Sequence, residues 1–230
     1  METTVADAAL AFAAERYAAA DLVAVGGSAA RERRPRSDID LLVVGPAAMF
    51  PGDAEEAAYT ERWRGELFEV FASTDGGFRR HQLAGAERLR PVSGFLLVEG
   101  EVVVDRTDGS LLAWTRGLLA AGPRVERAEL DARRYAVTNT LDDLLDAADA
   151  VEEAVLAGLL FQRLAELVLL ANGQWLASGR WLLRRLERLD APFAAALGSA
   201  LAARDRAALE RLTLQSLAPL GGRLLEGYSR

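Results

Sequence analysis

VAVGGSAARERRPRSDIDLLVV, residues 23–44, holds two apolar runs with a glycine-rich bend and a basic stretch between them. Leu22 to Val25 is short and apolar and stops at Gly26-Gly27-Ser28, which predicts a buried strand ending in a tight turn. Arg31 to Arg36 is polar and broken by Pro35, so it reads as a loop. Ile39 to Val44 is strongly apolar, stops at Gly45-Pro46, and is the clearest strand in the chain.

The second run opens with two acids, Asp38 and Asp40, flanking Ile39. Strand side chains alternate, so both carboxylates face the same side, about 7 Å apart along the backbone. Paired carboxylates repel and are costly to desolvate. A divalent cation removes that cost, and Mg2+ (or Mn2+) suits one or two carboxylates together with substrate phosphates. The Gly26-Gly27-Ser28 bend complements this. Glycine lets backbone approach a ligand, N–H groups attract phosphate, and the Ser28 hydroxyl can donate to a phosphate oxygen. Gly-Gly-Ser alone is a common turn. With Asp-x-Asp nine residues beyond it on the next strand, it becomes a phosphate seat beside a metal seat.

Outward from this stretch, the first half changes type every ten to twenty residues. Residues 5–20 are helical in period, 53–64 and 78–90 predict further helices, and Leu67 to Ala72 and Val102 to Asp105 predict strands. Phe95 to Gly100 is compatible either with a hairpin arm or with a helix end at Gly100. Past Gly109, residues 110–121, 126–150, 152–171, 180–188, 192–203 and 205–217 all read as helices. The expectation is an α+β chain. A small mixed-sheet domain (1–110) precedes an all-helical bundle (111–230).

Composition narrows the chemistry. The 230 residues contain no cysteine, one histidine (His81), and 27 cations that are all arginine. This excludes disulfide scaffolds, thiolate metal sites, cysteine nucleophiles, a Walker-A lysine and Schiff-base chemistry. The net charge of −7 argues against a dedicated nucleic-acid binder. The N-terminal stretch is amphipathic, with acids early and arginine inside, and is unlike a secretory signal. The most apolar stretch, Ala154 to Phe161, falls short of the ~20 residues that cross a bilayer. A soluble, cytoplasmic protein is expected.

The pattern Gly26-Gly27-Ser28, nine residues, then Asp38-Ile39-Asp40-Leu41 resembles the nucleotidyltransferase superfamily of DNA polymerase β type. Within it, the chain is most similar to small bacterial members: antibiotic adenylyltransferases and minimal nucleotidyltransferases with helical domains. The resemblance is specific over residues 22–44 and looser to about residue 110. It implies a third carboxylate on a later strand, and Glu69 in Leu67-Phe68-Glu69-Val70-Phe71 is the only acid inside the matching segment. Many members carry aspartate there, which leaves the role of Glu69 open between metal ligand and proton acceptor. Independently, a glutamate inside a buried apolar run calls for a cationic partner.

The implied reaction is attack of an acceptor hydroxyl on the α-phosphorus of a nucleoside triphosphate, with AMP transferred from ATP and pyrophosphate leaving. Asp38, Asp40 and Glu69 are the expected catalytic and metal-binding residues. Gly26, Gly27, Ser28 and Arg36 are the expected nucleotide contacts. Two metal ions would stabilise the attacking and leaving oxygens. A small-molecule acceptor is expected; the alternatives are nucleotidylation of a protein or RNA, and a non-catalytic nucleotide-binding module.

Other residues carry weaker signals. Arg31, Arg33, Arg34 and Arg36 read as a solvated loop within reach of a triphosphate. His81 reads as a surface residue, Trp175 and Trp181 as core, and Asp142-Asp143 as a solvated helix face without an evident basic neighbour. No arginine lies four to six residues before His81, so the helical half lacks the Arg-x4–6-His pattern of ribonuclease-type partner domains. It reads as a unit that positions substrate or forms a homodimer.

Overall fold

The computed structural model describes residues 4–27 and 38–229. The chain divides into two compact units, residues 1–121 and 122–230. That division falls later than the boundary near 110. The helix Ser110–Ala120 packs with the sheet, where Leu111 is fully buried and Trp114 lies against the same cluster.

The first unit is built on a five-stranded sheet. Its strands are β1 (Leu22–Gly26), β2 (Ile39–Val44), β3 (Glu56–Trp63), β4 (Glu66–Ser73) and β5 (Glu101–Asp105), in the order β3-β4-β2-β1-β5. β2 and β4 run parallel; the other neighbours are antiparallel. The sheet is therefore mixed, as expected for an α+β unit. β1 and β2 are Val/Leu-rich and buried almost throughout because both faces are covered.

One face carries Val23, Val25, Ile39, Leu41, Val43, Phe68 and Val70 against α1 (Val5–Arg16). Phe12 of α1 is fully buried, stacks on Phe68 at 4.3 Å between centroids, and meets Trp63 edge-on at 5.6 Å. The opposite face carries Leu22, Ala24, Leu42 and Val44 beneath α2 (Asp75–Glu87), α3 (Val92–Glu99) and α4 (Ser110–Ala120). Residues 95–99 thus resolve as helix, ending at Gly100.

Residues 53–64 do not form the expected helix; most of the segment is the edge strand β3. Its Ala, Glu and Arg content favours helix locally, but β3 pairs with β4 along its whole length, from Glu56↔Ser73 to Trp63↔Glu66. The two-residue connection Arg64-Gly65 has positive φ at both positions (49° and 89°), the backbone of a tight hairpin. Gly76-Gly77 likewise does not precede α2 but forms its first turn. The Thr74 side chain caps that turn, accepting from Gly77 N–H at 3.0 Å.

The second unit is helical: α5 (Arg127–Asp146), α6 (Ala150–Ala171), α7 (Arg180–Leu189), α8 (Ala191–Ala203) and α9 (Arg206–Leu217). α6 is the one described helix long and apolar enough to cross a membrane by length and composition, so the apolar stretch is longer than Ala154 to Phe161. Leu160, Leu164, Leu167, Leu169 and Leu170 of α6 are buried within the unit. Arg206 ties the end of α5 to α6, donating to Glu153 at 2.8 Å and to the carbonyls of Leu145 and Ala147.

Candidate active site

The acid-bearing corner lies where β1 ends and β2 begins, at the N-terminal part of β4. Asp40 pairs with Gly26 across β1–β2 and with Glu69 across β2–β4. Residues opposite one another on adjacent strands face the same side, so the Asp40 and Glu69 carboxylates share one face. It is the face covered farther along by α2, α3 and α4, since Leu42 and Phe71 follow Asp40 and Glu69 by one side-chain repeat. Thr60 of β3 extends the row beyond Glu69. Asp38 stands immediately before the first ladder residue of β2. All three acids are half-buried. Among the described residues the half-buried Glu69 side chain makes no hydrogen bond or ion pair.

The two glycines are used differently. Gly27 has φ +71°, a left-handed conformation that disfavours any side chain, and a Cβ there would overlap the Asp40 carboxylate. The bend is thus folded onto Asp40. Gly26 is buried, and the place of its missing side chain is taken by Leu96 of α3, whose Cα lies 3.2 Å from where a Cβ would stand. The close approach at Gly26 is therefore made by a helix, and Gly27 is half-buried. Ser28 and Arg36, with Arg31, Arg33 and Arg34, lie outside the described residues.

The donor set fits a hard divalent cation: its oxygens come from carboxylates, two of them in register on neighbouring strands. No three described acids meet closely enough to enclose an ion by themselves. Such a set leaves coordination positions to phosphate and water, the arrangement Mg2+ tolerates best.

His81 is exposed on α2 and borders a cavity lined also by Leu42 and Phe71. Trp175 is buried in the helical unit, and Trp181 is half-buried with the Arg184 guanidinium over its ring at 4.8 Å. Asp142 does have a basic neighbour: Arg223, from the C-terminal segment, forms an ion pair with it. Asp143 accepts from Asn139 at 3.0 Å. The sequence separation of 81 residues hid the first of these partners.

No family model matches the chain, and no characterised protein is returned as a relative. Among solved structures, a nucleotidyltransferase-like protein from Exiguobacterium sibiricum 255-15 is similar at a TM-score of 0.45 and 16% identity. The match covers 94% of this chain and 76% of that one.

Proposed function

We propose that the chain is a nucleotidyltransferase that moves a nucleoside monophosphate, AMP from ATP, onto an acceptor hydroxyl and releases pyrophosphate. The observation that carries this reading is the register Asp40↔Glu69, flanked by a glycine bend folded over Asp40.

Asp38 and Asp40 would hold Mg2+, with Glu69 completing the set or taking the proton of the attacking hydroxyl. Bound there, the ion would neutralise charge on the phosphates and stabilise attacking and leaving oxygens. The chain's own contribution is placement. Gly27 backbone and Ser28 orient the β and γ phosphates, and Arg36 balances their charge. Glu69, one strand from Asp40, faces the space from which the acceptor hydroxyl approaches. Catalysis on this reading comes from positioning and fixed charge.

Incubating the protein with α-labelled ATP, Mg2+ and a panel of alcohols tests the reading. Pyrophosphate release that disappears in Asp38→Asn is the expected result. Label appearing on co-expressed protein or RNA would move the acceptor to a macromolecule. Tight ATP binding without pyrophosphate from any acceptor would leave only a binding module.

A further inference from the structure

A cavity of about 200 Å³ lies on the acid-bearing face of the sheet, between β3–β4 and α2. Its floor is Leu42, Phe71 and Ala58, the cross-strand row directly after Asp40, Glu69 and Thr60. One side-chain repeat along a strand is about 7 Å, so the floor begins that far from the acids. Phe78 and His81 of α2 form one wall, and the buried Ser93 of α3 lies at the back.

We propose that this cavity is the acceptor seat, shaped for an uncharged or cationic alcohol built on a single ring. The proposal rests on the nucleotidyl-transfer reading above. Three features select the occupant. The lining is mainly apolar, with two phenyl rings, which suits a flat hydrophobic body. The volume is below the roughly 300–1,000 Å³ of sites for drug-sized ligands, which limits the body to about one ring. Among the described residues, Glu56 is the one Asp, Glu or Arg side chain in the lining, so a carboxylate or phosphate on the acceptor would meet repulsion.

Seated there, the ring directs its hydroxymethyl arm along the strands toward Glu69. The hydroxyl oxygen forms a bond to the α-phosphorus, and the bond to the bridging oxygen of pyrophosphate breaks. The hydroxyl proton passes to the Glu69 carboxylate and from there to solvent. Acceptor choice then belongs to the sheet unit itself, not to the helical unit.

Ala58 is exposed on an edge strand, so Ala58→Phe fills the cavity without cutting into the core, and phenylalanine is a good strand former. Benzyl alcohol and its anionic counterpart 4-(hydroxymethyl)benzoate are the probes. Binding is read by NMR titration of the full chain without nucleotide, and product by mass spectrometry with ATP and Mg2+. Benzyl alcohol is expected to bind and to yield its AMP ester, the benzoate to bind at least tenfold more weakly. Ala58→Phe is expected to lose both binding and product at least tenfold, with an unchanged thermal midpoint. Equal binding of the two probes, or full activity in Ala58→Phe, overturns the seat. Pyrophosphate release with other alcohols that ignores Ala58→Phe would remove the seat and leave the transfer reading standing. Ala58-dependent binding with no pyrophosphate from any acceptor would remove the transfer reading and the acceptor role with it.

Discussion

Asp40 and Glu69 stand opposite each other on the parallel strands β2 and β4, although 29 positions separate them in the chain. Like charges placed directly opposite are destabilising, and a cation held between the two carboxylates would relieve that repulsion. Glu69→Gln should therefore leave thermal stability in EDTA unchanged or slightly raised. Asp40→Asn and Glu69→Gln should each abolish the midpoint increase that Mg2+ gives the unmodified protein. Pyrophosphate release should fall by at least about 100-fold. Calorimetric scans with and without Mg2+ check the first part, and a coupled pyrophosphate assay the second.

Gly27→Ala should be worse than an ordinary loop substitution. The positive φ costs roughly 1–2 kcal/mol, and the added methyl displaces the Asp40 carboxylate. Loss of the Mg2+-dependent shift together with lowered stability in urea is the expected pattern. Lowered stability with the Mg2+ response intact would show that the bend does not set the Asp40 position.

Gly26 and Leu96 should be energetically coupled. Gly26→Ala forces a methyl into Leu96 and should cost roughly 1–3 kcal/mol. Leu96→Ala opens the space, so the double variant should be more stable than the sum of the single effects by at least about 0.5 kcal/mol. A denaturant double-mutant cycle measures this directly.

The α1 face holds the sheet unit together through Phe12, which contacts Phe68 and Trp63. Phe12→Ala should destabilise by roughly 3–5 kcal/mol. The cost is read in urea from the near-ultraviolet aromatic signal.

Alkaline stability should depend on Tyr17. Its hydroxyl lies 2.7 Å from that of Tyr59, and its pKa is pushed above the ordinary tyrosine value, first by burial and then by that hydrogen bond. The folded state thus keeps the phenol neutral, whereas the unfolded chain ionises near pH 10. The resulting stability is fully present below about pH 10 and is lost as pH rises above it. Tyr17→Phe should flatten the fall in unfolding midpoint between roughly pH 10 and 11.5 relative to the unmodified protein.

The short-range pattern of Asp38-Ile39-Asp40 before four apolar residues was enough to place two acids at a strand start, because alternation is a local property of the backbone. The apolar runs of β1, β2 and β4 and the helices of the second half were legible for the same reason. β3 was not. Its alanines, glutamates and arginine favour helix locally, and only pairing with β4 makes it a strand; the Arg64-Gly65 turn was the available signal.

Several things were decided by tertiary packing alone. One is the meeting of Glu69 with Asp40, since strand order and register depend on contacts between distant residues. Another is the packing of Leu96 against Gly26, and a third is the pairing of Asp142 with Arg223. A residue's type states which chemistry it can perform. Which neighbours it performs that chemistry with follows only once the chain has closed its long loops and buried its apolar faces.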